Sequence, residues 1–279
     1  MGSSRSAKAR SGWILRRAAA IAAGLCAGRS AVAVETPGDS DKSLPCRPTI
    51  ACTADLVPAG FFEVETGGFY SRLGGGGRLL DDPVLLKQTI LPFLQLQVGS
   101  NGYTVTESSP RAAAIHYFDD VIVGPKFHLV YQSTYVPSLA VSAQSSLPAR
   151  SAGQDGALLV AYASKDLGPI HADLNVGLEA FWGAVGSDAA AQPYVALALS
   201  TNLVDPVGFL VEGYVFSAAR PYAPRDGGIR PAITLTPRPW LVFDFGGDAG
   251  FYPSIREYSL FVGMTIVPVI LWRPGPPRA

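Results

Sequence analysis

"IHADLNVGLEAFW", residues 170–182, carries two patterns at once. Ile170, Ala172, Leu174, Val176, Leu178, Ala180 and Trp182 are apolar without exception, while His171, Asp173, Asn175, Gly177, Glu179 and Phe181 between them are mostly polar or charged. A period of two places these sets on opposite faces of a β-strand. Such a strand suits a soluble sandwich, in which the apolar face is the core. It equally suits a membrane barrel, in which the apolar face meets lipid and the polar face lines a lumen.

The same alternation recurs along the chain. It predicts strands at 61–71, 90–98, 103–108, 121–132, 135–146, 157–165, 170–182, 193–203, 207–217, 229–236, 240–252 and 256–267. Only ALLVAYASK (157–165) is apolar on both faces, which leaves its period ambiguous. The expected fold is therefore all-β, an antiparallel transmembrane barrel of about twelve strands. Most of these segments have the length a tilted strand needs to cross a bilayer, longer than the ~5 to 6 residues usual in soluble sheets. Connections alternate in length: GSNG, QST, DLGP, VDP and TPRP are brief, whereas RLGGGGRLLDDP, SPRAAAIHYFDD, LPARSAGQDG, GAVGSDAAAQ and AARPYAPRDGG are long, and only the last hairpin, PSI, breaks the pattern. Short turns on one side and long loops on the other are the layout of an outer-membrane barrel with periplasmic termini. Tyr70, Tyr131, Tyr135, Trp182, Tyr194, Trp240, Tyr252 and Tyr258 fall near strand ends, where interfacial aromatic girdles sit.

Composition agrees. Lys plus Arg and Asp plus Glu are 22 each, so no basic surface points to nucleic acid. Charged residues are 16% of the chain, below the roughly 25% of soluble domains. The first 17 residues are basic without an acid, and AAAIAAGLCAG (18–28) and Ala31-Val32-Ala33 follow. That is the layout of a secretory signal peptide over 1–33, its apolar run being too short to span a membrane. The expected organisation is then a periplasmic N-terminal segment (34–59), a barrel (60–268) and a C-terminal tail (269–279). Cys46 and Cys52 in "CRPTIAC" are candidates for a local disulfide in an oxidising compartment, two free thiols being the alternative. No metal and no cofactor are expected.

The polar faces nominate the lumen. Glu63, Glu65, Lys126, His128, His171, Asp173, Glu179, Glu212, Arg230, Asp244 and Asp248 are the lumen-lining candidates. They either pair across the barrel and fill it, or line a hydrated path in which the excess of acids favours cations. No catalytic residues are assigned: the chain lacks a Gly-x-Ser-x-Gly elbow and a His-x-x-x-His pair. The GGGG run (74–77) lacks the Lys-Ser/Thr of a phosphate loop and is expected to be surface loop.

"DDVIVGPKFHLVY", "YVPSLAVSAQSSLPA", "FLVEGYVFS" and "WLVFDFGGDAGF" resemble, in order, motifs of an outer-membrane transporter family associated with the meta-cleavage pathway of phenol degradation. The resemblance covers roughly residues 60–267. It implies a twelve-stranded barrel that admits small hydrophobic or aromatic compounds, with outer-membrane lipid, a small solute and the barrel-assembly machinery as partners. A non-transporting structural or surface-interaction barrel is the alternative, and an outer-membrane lipid hydrolase is third. The chain departs from the usual aromatic last residue, ending VILWRPGPPRA, so Trp272 or Phe261 is expected to stand in for it, or the assembly signal is internal.

Overall fold

Asn175 is wholly buried, while Leu174 and Val176 on either side of it are 40% and 54% exposed. The polar side of strand 170–182 thus faces inward and the apolar side outward. The computed structural model describes residues 38, 41–109, 112–117, 120–148, 155–182, 189–219 and 223–273, and this inverted partition holds along the wall. Glu63, Glu65, Lys87, Lys126, Glu212 and Asp244 are buried inside, and Leu159, Leu260 and Val262 are more than half exposed outside. A soluble sandwich would show the reverse, since burial of each large apolar side chain contributes about 1.5–3 kcal/mol. The surface is made for lipid.

The strands are β1 (Phe61–Leu73), β2 (Arg78–Asp81), β3 (Val84–Leu91), β4 (Leu94–Ser100), β5 (Tyr103–Ser109), β6 (Ala112–Tyr117), β7 (Asp120–Val130), β8 (Ser138–Pro148), β9 (Asp155–Leu167), β10 (Ile170–Trp182), β11 (Ala190–Val204), β12 (Val207–Phe216), β13 (Asp226–Arg238), β14 (Leu241–Gly250) and β15 (Arg256–Ile270). Twelve of them, β1, β3, β4 and β7 to β15, form a closed antiparallel barrel, with β15 pairing back onto β1. Closure leaves this ring without a free edge.

The other three strands extend the wall on the long-loop side. β3 pairs with β1 only as far as Thr66↔Val84, and from Phe69↔Asp81 onward β2 takes its place, with β5 and β6 beside it. Between β2 and β3 stand Asp82 and Pro83, and between β4 and β5 stand Asn101 and Gly102. Proline offers no ladder donor. Gly102 has φ +62°, and a Cβ there would fall 2.1 Å from the Asp82 carbonyl oxygen, so the break requires glycine.

Three strand assignments change as a result. ILPFLQLQV (90–98) is two strands joined by a turn at Pro92-Phe93, with Leu91 and Leu94 paired across it. Alternation could not reveal that turn, because Leu91, Phe93, Leu94 and Leu96 are all apolar. GSNG is a break inside one wall rather than a turn, so YTVTES (103–108) prolongs β4 instead of adding a wall strand. The stretch read as a long loop, RLGGGGRLLDDP, contains β2 and leads into β3, and SPRAAAIHYFDD contains β6. One strand lost from the ring and one gained, β3, leave the barrel at twelve.

The expected periplasmic segment is also corrected. Residues 41–59 run inside the barrel, where they bond to its inner wall. The lumen of a narrow eight-stranded barrel is filled by side chains alone, whereas twelve strands leave space for an extra pass of chain. This explains ALLVAYASK: Val160 and Tyr162 face inward against Ala54 and Ala140 rather than water, so both faces of β9 are apolar. Phe261, one of the two proposed substitutes for a terminal aromatic, is buried inward against Leu210, Ala232 and Phe69. Residues 1–33, the expected signal peptide, lie outside the described residues, as does the tail beyond 273.

Candidate functional site

An irregular segment has no strand ladder of its own, so each of its buried peptide groups needs a side-chain partner. The barrel wall supplies them. At the short-turn end, Ser43 donates from N–H (2.9 Å) and hydroxyl (3.2 Å) to the Pro239 carbonyl. Farther in, Leu44 N–H donates to Glu63 (2.7 Å), and Cys46 and Arg47 N–H donate to the two oxygens of Glu65, both at 2.9 Å. Arg230 donates to the Pro48 carbonyl at 2.7 Å. Ile50 and Ala51 N–H converge on one oxygen of Glu212 (2.7 and 2.6 Å), and Asn175 donates to the Ile50 carbonyl at 3.1 Å.

There the chain turns back. Lys126 donates to the Thr53 carbonyl, Ala54 N–H donates to Ser164 at 2.6 Å, and Asp55 accepts from Ser138. Val57 then packs with Phe61, Val267 and Ile270 at the start of β1. The segment is a plug: a loop entering and leaving by the short-turn end, its tip at Pro48–Ala51. Cys46 and Cys52 are disulfide-bonded across the base of that tip, and Thr49 N–H and hydroxyl both bond the Cys46 carbonyl inside it (3.0 and 2.7 Å).

The wall charges are organised in clusters. Lys87 on β3 sits between Glu63 and Glu65 of β1, paired to both. Arg47 of the plug faces Asp244 at 3.6 Å and lies 5.1 Å from the Phe69 ring centre. The largest cluster joins Glu212, Arg230, Asp248, Arg256 and Asp226: Arg230 reaches Glu212 at 3.4 Å and Asp248 at 3.1 Å, and Arg256 reaches Asp248 at 2.6 Å and Asp226 at 3.1 Å. Tyr214 donates its hydroxyl to Asp248 at 2.6 Å, and its ring stacks under both guanidinium groups. Pairing of this kind offsets the cost of taking these charges out of water.

Each of the expected lumen residues can now be placed. Glu63, Glu65, Lys126, His128, Glu212, Arg230, Asp244 and Asp248 are buried on the inner wall. Glu179 is half-buried, on β10 level with Leu158 of β9 and Gln192 of β11. His128 lies 2.9 Å from Ser138 and 3.3 Å from Asp55. His171 bridges Asp166 (2.7 Å) and Asp173 (3.1 Å), and Ser164 donates its hydroxyl to Asp173 at 2.5 Å. The serine therefore bonds the acid rather than the imidazole, unlike the order of a hydrolytic triad. At the short-turn end, Arg273 grips Asp41 with two bonds (3.1 and 2.9 Å), and its guanidinium holds the Asp41 carboxyl below the usual carboxylate range.

Sequence reading did not select Lys87, Arg256, Arg47 or Asp55. Lys87 falls between the long connection ending at Pro83 and the expected strand opening at Ile90, although VLLKQTI alternates around it. Arg256 opens a strand whose next residues were read for periodicity alone. Arg47 and Asp55 belong to a segment with no periodicity at all.

Two cavities flank the plug tip. One of about 860 Å³ opens at the short-turn end between the plug and β10–β14, and is lined by Arg47, Thr49, Thr53, His171, Asp173 and Ser200 among others. The other, about 300 Å³, lies towards the long loops, lined by Ile50, Phe69, Leu79, Phe216, Arg230 and Arg256 among others.

No family model matches the chain. No curated protein matches it either. Solved structures do. The fold is similar to that of an outer-membrane channel from Pseudomonas putida F1, with a TM-score of 0.56 and 10% identity over 81% of this chain and all of that one. It is also similar to the NanC porin, with a TM-score of 0.52 and 8% identity over 74% of this chain and 98% of that one. At these identities the likeness is one of fold.

Proposed function

We propose that the protein is a channel of the bacterial outer membrane through which small molecules pass passively, with hydrophobic or aromatic compounds as its solutes. The observation that carries the channel reading is the partition of the wall. A closed twelve-stranded barrel presents apolar residues to lipid and a charged, hydrogen-bonding surface to its lumen. The two similar folds, a channel and a porin, support this reading and the outer-membrane location. The aromatic solute class rests on the resemblance of the strand motifs to the phenol-degradation transporters. It draws support from Phe69, Leu79 and Phe216 around the long-loop cavity.

With Lys87 and Arg256 added to the wall bases and Asp226 to the acids, these acids outnumber the bases by eight to four, and Arg47 of the plug adds a fifth cation, so a hydrated lumen favours cations over anions. The alternative, a barrel with a structural role, draws on a different observation: the plug satisfies much of the polar wall from within. Uptake of a labelled aromatic compound by vesicles holding the folded protein separates the two. Transfer above protein-free vesicles is the expected result, and its absence together with absent ion conductance would leave the structural role.

A further inference from the structure

The two cavities lie on opposite sides of a single obstruction. Thr49 and Arg47 line the short-turn cavity, and Ile50, the next residue along the tip, lines the long-loop cavity. Arg230, which holds the Pro48 carbonyl, lines the long-loop cavity as well. The tip is thus the septum between two spaces that otherwise share the lumen.

We propose that the two cavities are halves of one solute path and that the tip, Pro48–Ala51, is the gate between them. This inference rests on the channel reading above.

The tip suits a gate. Its polar ties to the wall are few: two N–H donors on one oxygen of Glu212, one carbonyl on Arg230 and one on Asn175, and its apolar contact is the small patch where Ala51 and Ile50 meet Ala196, Ala198 and Tyr214. When it withdraws, Glu212 and Arg230 keep each other as partners at 3.4 Å, so opening does not strand an isolated charge in the wall. The disulfide makes the tip a closed loop that withdraws as a unit toward the short-turn end, from which both of its arms come. Lys87, by contrast, is locked to two wall carboxylates and stays behind.

The path also has a chemical preference. On the short-turn side the carboxylates of Asp55, Asp166, Asp173 and Asp205 outnumber the cations of Lys42 and Arg47 along the cavity, with His171 and the hydroxyls of Thr53 and Ser200 beside them. Past the tip, Phe69, Leu79 and Phe216 supply an apolar wall. Neutral or cationic small molecules with an apolar body fit both halves, and anions meet repulsion in the first.

The test uses thiol labelling in vesicles, with a membrane-impermeant cationic methanethiosulfonate added on the long-loop side. Reporter cysteines replace Leu79 (long-loop cavity) and Ser200 (short-turn cavity), one at a time, in the full chain. With the native tip, Leu79→Cys is labelled and Ser200→Cys is protected. Glu212→Gln removes a charged acceptor from two N–H groups, and labelling of Ser200→Cys then accelerates about tenfold or more, with potassium conductance rising in parallel. Asn175→Ala, which removes one tip contact without touching a charge, gives a smaller rise in the same direction and serves if Glu212→Gln does not fold. Labelling of Ser200→Cys that is equally fast with and without the substitution, in folded protein that conducts, overturns the gate and leaves the channel reading intact. Absence of conductance from the native chain and both variants, together with absent transfer of the aromatic compound, overturns the channel reading itself.

Discussion

Replacing Lys87 by Met removes the one cation that lies between Glu63 and Glu65, both of which are fully buried. Breaking a buried ion pair on one side costs about 3–5 kcal/mol, because the remaining charge has no compensation. Here two carboxylates are left, but they retain three backbone donors, from Leu44, Cys46 and Arg47 at 2.7, 2.9 and 2.9 Å. Lys87 also gives up its bond to the Leu44 carbonyl at 2.7 Å. The retained donors place the cost at the low end, about 3 kcal/mol. Urea unfolding of the protein in lipid vesicles, followed by loss of the compact band on unheated gels, measures it. Adding Glu63→Gln and Glu65→Gln to Lys87→Met should restore part of the loss: no charge is then stranded, and the two amide oxygens accept two of the three N–H groups, while the amide nitrogen of Glu65→Gln leaves either Cys46 or Arg47 N–H without its acceptor. A loss under about 1 kcal/mol for Lys87→Met, or no recovery in the triple variant, would refute the reasoning about buried pairing.

Lys126→Met should behave differently. Lys126 bonds the Thr53 carbonyl and lies 4.3 Å from the Tyr162 ring centre, with no carboxylate paired to it among the described contacts, so the same unfolding assay should show a change within about 1 kcal/mol. Val176→Lys places a charge on the outer face at the middle of β10, and should cost about 2–4 kcal/mol in vesicles if that face meets lipid. A change near zero there would refute lipid exposure of the strand. For Asp41, the sign follows from its lowered folded pKa. The Arg273 pairing contributes at pH values above the unfolded carboxyl's ~3.9 and is lost as pH falls through the lower folded value. Asp41→Asn should therefore be less stable than the native chain at pH 7, by no more than about 1 kcal/mol because Arg273 is half exposed, and should match it near pH 2. A difference that persists undiminished at pH 2 would contradict this.

Residues 170–182 were enough to show a two-faced wall, because Ile170, Leu174, Val176, Leu178 and Trp182 face out and Asp173, Asn175 and Glu179 face in. Period two carries that information wherever both faces contrast. It fails where they do not. The turn at Pro92-Phe93 sits in apolar sequence on both sides, and β9 is apolar on its inner face because Ala54 of the plug covers it. Of the plug, the sequence points to the Cys46–Cys52 disulfide but not to the position inside the barrel. CRPTIAC has no periodicity, and its position is decided by partners far away in sequence, Glu212, Arg230 and Asn175, which read simply as polar strand residues. The same distance in sequence explains why lumen charges were legible as inward-facing while their pairing was not. Alternation assigns a face, but register between strands decides which charges meet.

Single-channel recording of the folded protein in a planar bilayer tests the central claim, a charged lumen crossing the membrane and closed by its own N-terminal loop. The account predicts brief stepwise openings separated by long closures, with cations preferred over anions. A steady, fully open conductance would contradict the plug, and a preference for anions would contradict the acid-rich lumen.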